Sequence, residues 1–162
     1  MSGDTTSPDL AARLQQIEDR FAIQDLVAEY CRAIDDRDLA AFVGCFTVDC
    51  VVRHRDGVMR LDGRDALHAY YAERFKQYGV TFHSPNAHVV VFDGPDEAHG
   101  WVSGHAEMGL GGEGWTSAFR YTDRYRRVDG RWHFAERELA AWYYMRVADL
   151  PSGMGQTNRK HY

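Results

Sequence analysis

The apolar positions at the start of the chain recur every three or four residues, the period of a helix with one buried face. The recurring residues are Leu14, Ile17, Phe21, Leu26, Val27, Tyr30 and Ile34. They predict one amphipathic helix over residues 9–34. Asp38 is a favourable N-cap for a short second helix. A third helix is predicted over residues 63–79, with Gly79 as its C-terminal cap.

The remaining segments alternate apolar and polar residues as β-strands do. Residues 50–62 predict a hairpin that turns at Asp56-Gly57. Four long strand segments follow Gly79, separated by turn residues at 94–96, 111–112 and 129–130. Helices followed by consecutive antiparallel strands indicate an α+β fold. We expect a curved, mostly antiparallel sheet around the helices, enclosing a pocket.

Size and charge exclude several classes of protein. The 162 residues suit one domain, and the net charge of −5 disfavours nucleic-acid binding, which needs a clustered basic face. The polar N-terminus lacks the apolar core of a signal peptide, and the longest apolar runs are too short to span a bilayer. We therefore expect a cytoplasmic protein with neither a nucleic-acid nor a membrane partner.

No motif for a metal or an organic cofactor is present. The three cysteines, Cys31, Cys45 and Cys50, lack CxxC spacing, and they are expected to be reduced, buried hydrophobes. The histidines and acids do not have ligand spacing, and the glycine-rich stretch at 109–114 precedes no helix. The sequence predicts a cofactor-free reaction and no metal site.

An acidic cluster follows the first helix at an unexpected place. Asp35, Asp36 and Asp38 come directly after Tyr30 and Ile34, which belong to the apolar face. Carboxylates at a helix C-terminus are disfavoured by the helix dipole. Either the acids end the helix at the surface, or one of them points inward. We interpret Asp36 and Asp38 as surface residues and Asp35 as functional.

Three stretches in this order and spacing resemble the SnoaL-like group of the NTF2-like superfamily. They are IQDLVAEYCRAIDDRDLAAFVGCFTVDCVV, FHSPNAHVVVFDGPDEA and FRYTDRYRRVDGRWHFAER, and the resemblance covers residues 10–145. It implies a cone-shaped, cystatin-like α+β fold. The superfamily includes dehydratases, isomerases, cyclases, dehydrochlorinases and non-catalytic subunits, so the fold alone does not give the function.

The resemblance also implies a catalytic pair. In scytalone-dehydratase-like and bile-acid-dehydratase-like members, a Y-x-x-x-x-D pattern supplies a pocket tyrosine and a pocket aspartate, which correspond here to Tyr30 and Asp35. The family's catalytic base lies early in the strand that carries His83. Pro85 indicates a bulge or a sheet edge beside it. If His83 faces the pocket, Asp35 can fix its tautomer and stabilise the imidazolium.

Four further residues are predicted to bind the substrate. Trp101 and His105 share one face of a strand, whose other face carries Gly100, Val102, Gly104 and Ala106. A Trp-Ser-His face suits a pocket wall, and related dehydratases hold a histidine or an aspartate there against the substrate. Tyr121 lies in a motif in which Phe119 replaces the family's glycine, which narrows the cavity.

Arg137 corresponds to an arginine that dehydrochlorinase-like and bile-acid-dehydratase-like relatives use to bind or polarise the substrate. The alternative is a structural salt bridge to Asp123, Glu136 or Glu138.

These residues favour a cofactor-independent lyase, a dehydratase that acts on a small cyclic or polycyclic hydroxylated substrate through an Asp35–His83 dyad. One alternative is a ketosteroid-isomerase-like isomerase or a polyketide cyclase, in which Asp35 carries the proton. A second is a non-catalytic ligand-binding protein or oxygenase small subunit.

The predicted organisation has a disordered tail at 1–8, a SnoaL-like domain at 9–147 and a C-terminal tail at 148–162 that closes over the pocket. The small-residue face of the Trp101 strand predicts sheet-to-sheet packing into a homo-oligomer, and relatives favour a trimer over a dimer.

Overall fold

A computed structural model describes residues 8–153 of the chain. The helices are α1 (Pro8–Asp35), α2 (Leu39–Gly44), α3 (Arg64–Gln77) and the short α4 (Leu150–Gly153), which follows a 3₁₀ turn at Val147–Asp149. The strands are β1 (Phe46–His54), β2 (Arg60–Asp62), β3 (Tyr78–Phe92), β4 (Glu97–Leu110), β5 (Glu113–Val128) and β6 (Arg131–Arg146). None of the helices among these residues is long and apolar enough to cross a membrane.

The six strands form one mixed sheet in the order β2-β1-β6-β5-β4-β3. All neighbours are antiparallel except β1 and β6, which run parallel. The helices pack against this sheet, so the predicted α+β fold is confirmed. The bulge expected near Pro85 is also present: the register between β3 and β4 shifts between Pro85 and Ala87, on an edge strand.

Helix α1 matches the predicted bounds, but only its second half buries its apolar side chains. That half buries Ile23, Val27, Tyr30 and Ile34. The first half leaves its apolar side chains more than half exposed: Leu10, Leu14, Ile17 and Phe21. The predicted burial of Leu14, Ile17 and Phe21 is therefore wrong. In the first half of α1, the face that packs against the rest of the chain carries Asp19 instead. Asp19 is buried between Arg127 and Trp132.

The segment between α1 and β2 follows the predicted turn chemistry. Oδ1 of Asp38 accepts a hydrogen bond from the Ala41 amide at 3.0 Å, which confirms Asp38 as the N-cap of α2. Gly57 has a φ of 81° at the turn of the β1–β2 hairpin, a conformation that favours glycine. The cap sets where α2 begins, and the glycine turn sets where β1 turns back into β2.

Helix α3 ends differently from the prediction. It stops at Gln77, and the next residue, Tyr78, is already extended with φ −80° and ψ 132°. Gly79 is therefore a strand residue that lies close to Gly109 of β4, and the predicted glycine cap is wrong. Helix α3 therefore runs without a loop into β3, which starts at Tyr78, three residues before Thr81.

The predicted tails lie mostly outside the described residues. Residues 1–7 and 154–162, which include the end of the predicted pocket lid, are not among them. Residues 147–153 form the 3₁₀ turn and α4, and Arg146 bonds to Asp149 at 2.8 Å. The closing of residues 148–162 over the pocket stays a prediction.

Candidate active site

A cavity of about 420 Å³ lies between the helices and the inner face of the sheet. This volume falls in the range that is usual for small-molecule sites. Its walls are largely apolar and aromatic, with polar side chains gathered around Tyr30, His83 and Arg137 and around Arg74 and His54. The cavity is therefore the candidate substrate site.

His83 lies in this cavity wall, and Asp35 holds it from behind. Nδ1 of His83 lies 2.7 Å from Oδ1 of Asp35, and the His83 backbone N–H donates to Oδ2 of the same carboxylate at 2.8 Å. Both side chains are largely buried, with exposed fractions of 8% for His83 and 17% for Asp35. An ionised carboxylate accepts only, so Nδ1 carries the proton and Nε2 keeps its lone pair. Nε2 has no hydrogen-bond partner within residues 8–153.

The Asp35 carboxyl remains ionised in spite of its burial. Desolvation by itself raises the pKa of Asp35, but hydrogen bonds from the side chain and backbone of His83, together with the His83 charge and the Thr81 hydroxyl, lower the pKa by more. The result is a pKa below the ordinary aspartate value. An ionised partner at Nδ1 is what a histidine needs to be stabilised when Nε2 takes up a proton.

Arg37 and Thr81 support the Asp35 carboxylate, a role that was not predicted from the sequence. Arg37 has a φ of 60°, which is rare for a residue other than glycine. Its Nη1 donates to the backbone oxygen of Asp35 at 2.5 Å and to Oγ1 of Thr81 at 2.8 Å. The Thr81 hydroxyl in turn helps to lower the pKa of Asp35. Arg37 and Thr81 thus position the acid.

Tyr30, Tyr121 and Arg137 form a second polar group in the cavity wall. The Tyr30 hydroxyl donates to the Tyr121 hydroxyl at 3.4 Å, and the Arg137 guanidinium lies 4.3 and 4.0 Å from the centres of the two rings. Burial raises the pKa of both phenols. Both tyrosines therefore remain protonated and can donate a hydrogen bond.

Arg137 both lines the cavity and forms the structural salt bridge that was considered as its alternative role. Its Nε and Nη2 donate to the two carboxylate oxygens of Asp123, each at 2.8 Å. The third nitrogen, Nη1, is buried and has no hydrogen-bond partner among the described residues. Asp123 neutralises the charge of Arg137, and the free N–H groups at Nη1 are left for an acceptor.

Trp101 and His105 lie on the opposite face of β4 from the cavity. The inner face carries the small residues instead: Gly100, Val102, Gly104 and Ala106 are buried, whereas His105 is exposed. Trp101 lies beneath the Arg120 guanidinium, 4.9 Å from it. The prediction that Trp101 and His105 form a pocket wall is wrong, because the rings of Phe119 and Tyr121 occupy the interior and require small neighbours on β4. The small-residue face is accordingly not free to pack on another protomer.

A second set of polar residues in the cavity wall was not identified from the sequence. Its residues are His54, Asp56, Tyr70, Arg74, Tyr78 and Tyr144. The spacing of Tyr70 and Arg74 places them on one face of α3, but nothing in that pattern distinguishes a cavity wall from a solvated surface. Burial lowers the pKa of His54, which favours its neutral form at neutral pH.

No group of three or more potential metal ligands is clustered within residues 8–153. Cys31, Cys45 and Cys50 are free and buried, and burial raises the pKa of each thiol. The cysteines therefore pack as small hydrophobes in the described part of the chain.

Comparison with known proteins gives a family and a set of similar folds. The model of the SnoaL-like domain matches residues 15–138. No curated protein matches the chain.

Three solved structures illustrate the likeness of fold. A hexachlorocyclohexane dehydrochlorinase of type 3 from Novosphingobium barchaimii is 22% identical with a TM-score of 0.74, over 84% of this chain and 94% of that one. A candidate scytalone dehydratase from Novosphingobium aromaticivorans is 22% identical with a TM-score of 0.76, over 81% and 89%. A Mycobacterium tuberculosis protein of unknown function is 28% identical with a TM-score of 0.70, over 91% and 81%.

Proposed function

The chain belongs to the SnoaL-like domain family, and we propose that it is a cofactor-independent lyase that eliminates water from a small cyclic or polycyclic hydroxylated substrate. The observation that carries the proposal is the state of His83. One ring nitrogen is bound by an ionised carboxylate, and the other is free beside a cavity of about 420 Å³. This is the arrangement of a general base.

The proposed reaction uses the two polar groups of the cavity wall together. Nε2 of His83 takes a proton from the carbon next to a carbonyl, and Asp35 stabilises the imidazolium that forms. The negative charge that develops on the carbonyl oxygen is stabilised by hydrogen bonds from the Tyr121 hydroxyl, whose proton is not used by Tyr30, and from Nη1 of Arg137.

Collapse of the enolate then completes the elimination. The C–C double bond forms as the C–O bond of the β-hydroxyl breaks, and the proton held on His83 transfers to the departing hydroxyl, which leaves as water. His83 returns to its neutral form, so neither an oxidant nor a second substrate is consumed.

Two of the similar structures are named for eliminations, one as a candidate scytalone dehydratase and one as a dehydrochlorinase. Their names support this class of reaction. The isomerase or cyclase alternative requires Asp35 to carry the proton. Its two oxygens accept hydrogen bonds from His83, so the carboxylate is less available than the imidazole. This favours the lyase.

The experiment is a screen of cyclic β-hydroxy ketones with purified protein and no added cofactor, followed by mass spectrometry. Loss of one water from a compound by the wild type, and its absence with His83→Gln, supports the proposal. Conversion of a β,γ-unsaturated cyclic ketone, included in the same screen, into its conjugated isomer of unchanged mass would instead show an isomerase. Binding of the compounds without any conversion would show a ligand-binding protein.

A further inference from the structure

Within residues 8–153, one cation of the cavity wall is not neutralised by an acidic side chain. The charged residues of its wall are Asp56, Arg74 and Arg137. Arg137 is paired with Asp123 through two hydrogen bonds. Arg74 forms no ion pair within residues 8–153, although it is half-buried in the cavity wall.

All hydrogen-bond partners of Arg74 are neutral oxygens. Its Nε donates to the Tyr78 hydroxyl at 3.1 Å, and its Nη1 donates to Oε1 of Gln77 at 3.2 Å. These groups hold the side chain in place, and Arg74 also lies 5.0 Å from the centre of the Tyr78 ring. They orient the charge without cancelling it.

The acids nearest to Arg74 in sequence and in the cavity are engaged elsewhere. Glu73 pairs with Lys76 at 2.6 Å on the exposed side of α3. Asp56 accepts a hydrogen bond from the Val58 amide within its own hairpin turn and is exposed. His54 has its pKa lowered by burial, so it adds no second positive charge at neutral pH.

We propose that Arg74 binds a carboxylate of the ligand, so that the substrate is an apolar ring system with a carboxylate at the Arg74 end and its reacting carbons at His83. The inference rests on the proposed function for the identity of the cavity as the substrate site. A half-buried guanidinium without an anionic partner is costly, and a carboxylate matches its planar arrangement of donors. The apolar side chains of the same cavity wall, among them Val52, Met59 and Leu139, suit the ring system.

The test is calorimetric titration with two probes of equal shape, 2-naphthoate and 2-naphthamide, which differ in charge. The wild type is expected to bind the carboxylate at least about tenfold more tightly than the amide. Arg74→Met should remove this preference, and Arg74→Lys, which keeps the charge but not the planar fork, should keep part of it. Arg13→Met is the matched control, because Arg13 is an exposed residue of α1, and it should leave the preference unchanged.

Equal affinities of the two probes for the wild type would overturn the proposal. So would a preference that survives in a folded Arg74→Met variant, or a carboxylate that fails to bind the wild type at about 1 mM. Binding does not depend on turnover, so the result is separate from that of the elimination assay. A carboxylate preference in both the wild type and His83→Gln, without any elimination product, would contradict the proposed reaction and support the role of Arg74.

Discussion

Asp35 explains why an acid ends the apolar face of α1. It is the last residue of the helix, where the dipole disfavours a negative charge. Two donors offset this cost: the backbone and ring N–H groups of His83. Arg37, held at positive φ, donates to the Asp35 backbone oxygen and to Oγ1 of Thr81. Strain at Arg37 and the buried charge are both features expected at functional sites.

The lowered pKa of Asp35 makes a prediction about acid stability. A carboxyl with a lower pKa in the folded protein adds stability above its unfolded pKa of about 3.9, and that stability is lost as the pH falls through the folded value. The difference in unfolding free energy between wild type and Asp35→Asn should therefore shrink as the pH falls below about 4. Denaturant titrations across this range measure it. A difference that does not change with pH would show that His83 does not hold the carboxylate ionised.

At the scale of the element, β4 shows how far the sequence can predict the site. Period-two alternation correctly separated Trp101 and His105 from the glycine-rich face, but it carries no information on which face is interior. Aromatic residues suggested a pocket wall, whereas the wall needs small residues opposite Phe119 and Tyr121. The Asp35–His83 contact followed from the resemblance and from the end of α1. Arg74 could not be predicted, because the position of α3 over the sheet depends on long-range packing.

The packing of β4 against β5 can be tested at Gly104. A Cβ on this residue would lie 2.9 Å from the Phe119 ring and 2.8 Å from the Ser84 backbone oxygen. Gly104→Ala should therefore lower the unfolding free energy by about 1–3 kcal/mol, measured by chemical denaturation. Gly94→Ala is the control, since a Cβ there meets nothing within 4 Å and should have little effect. Equal stability of the wild type and Gly104→Ala would mean that Phe119 does not lie against this strand.

At the scale of the whole molecule, the outer face of the sheet carries several large apolar side chains that are exposed in the single protomer. The outer face of the sheet presents Val80 and Phe82, which are 84% and 60% exposed, and Trp101 and Trp142 stack on either side of Arg120. Exposed apolar patches of this kind are typical of interaction surfaces. We propose that this outer face, rather than the small-residue face, packs between protomers of a homo-oligomer, with a trimer preferred over a dimer.

Light scattering at micromolar concentration tests the oligomer. The wild type should have the mass of a trimer, and the double variant Val80→Ser/Phe82→Ser should dissociate without losing its fold. Val48→Ser removes a side chain that is 73% exposed elsewhere, and it should leave the mass unchanged. A monomeric wild type would contradict the proposal.

The central claim is that Asp35 and His83 act as one unit, and a double-mutant cycle in kcat tests it most directly. On a substrate that the wild type dehydrates, Asp35→Asn and His83→Gln should each fold and each lower kcat by roughly two to four orders of magnitude. Because each substitution disables the same proton transfer, the double variant should be little slower than either single variant. If the single losses multiply in the double variant, or if His83→Gln keeps most of the activity that Asp35→Asn loses, the dyad is contradicted.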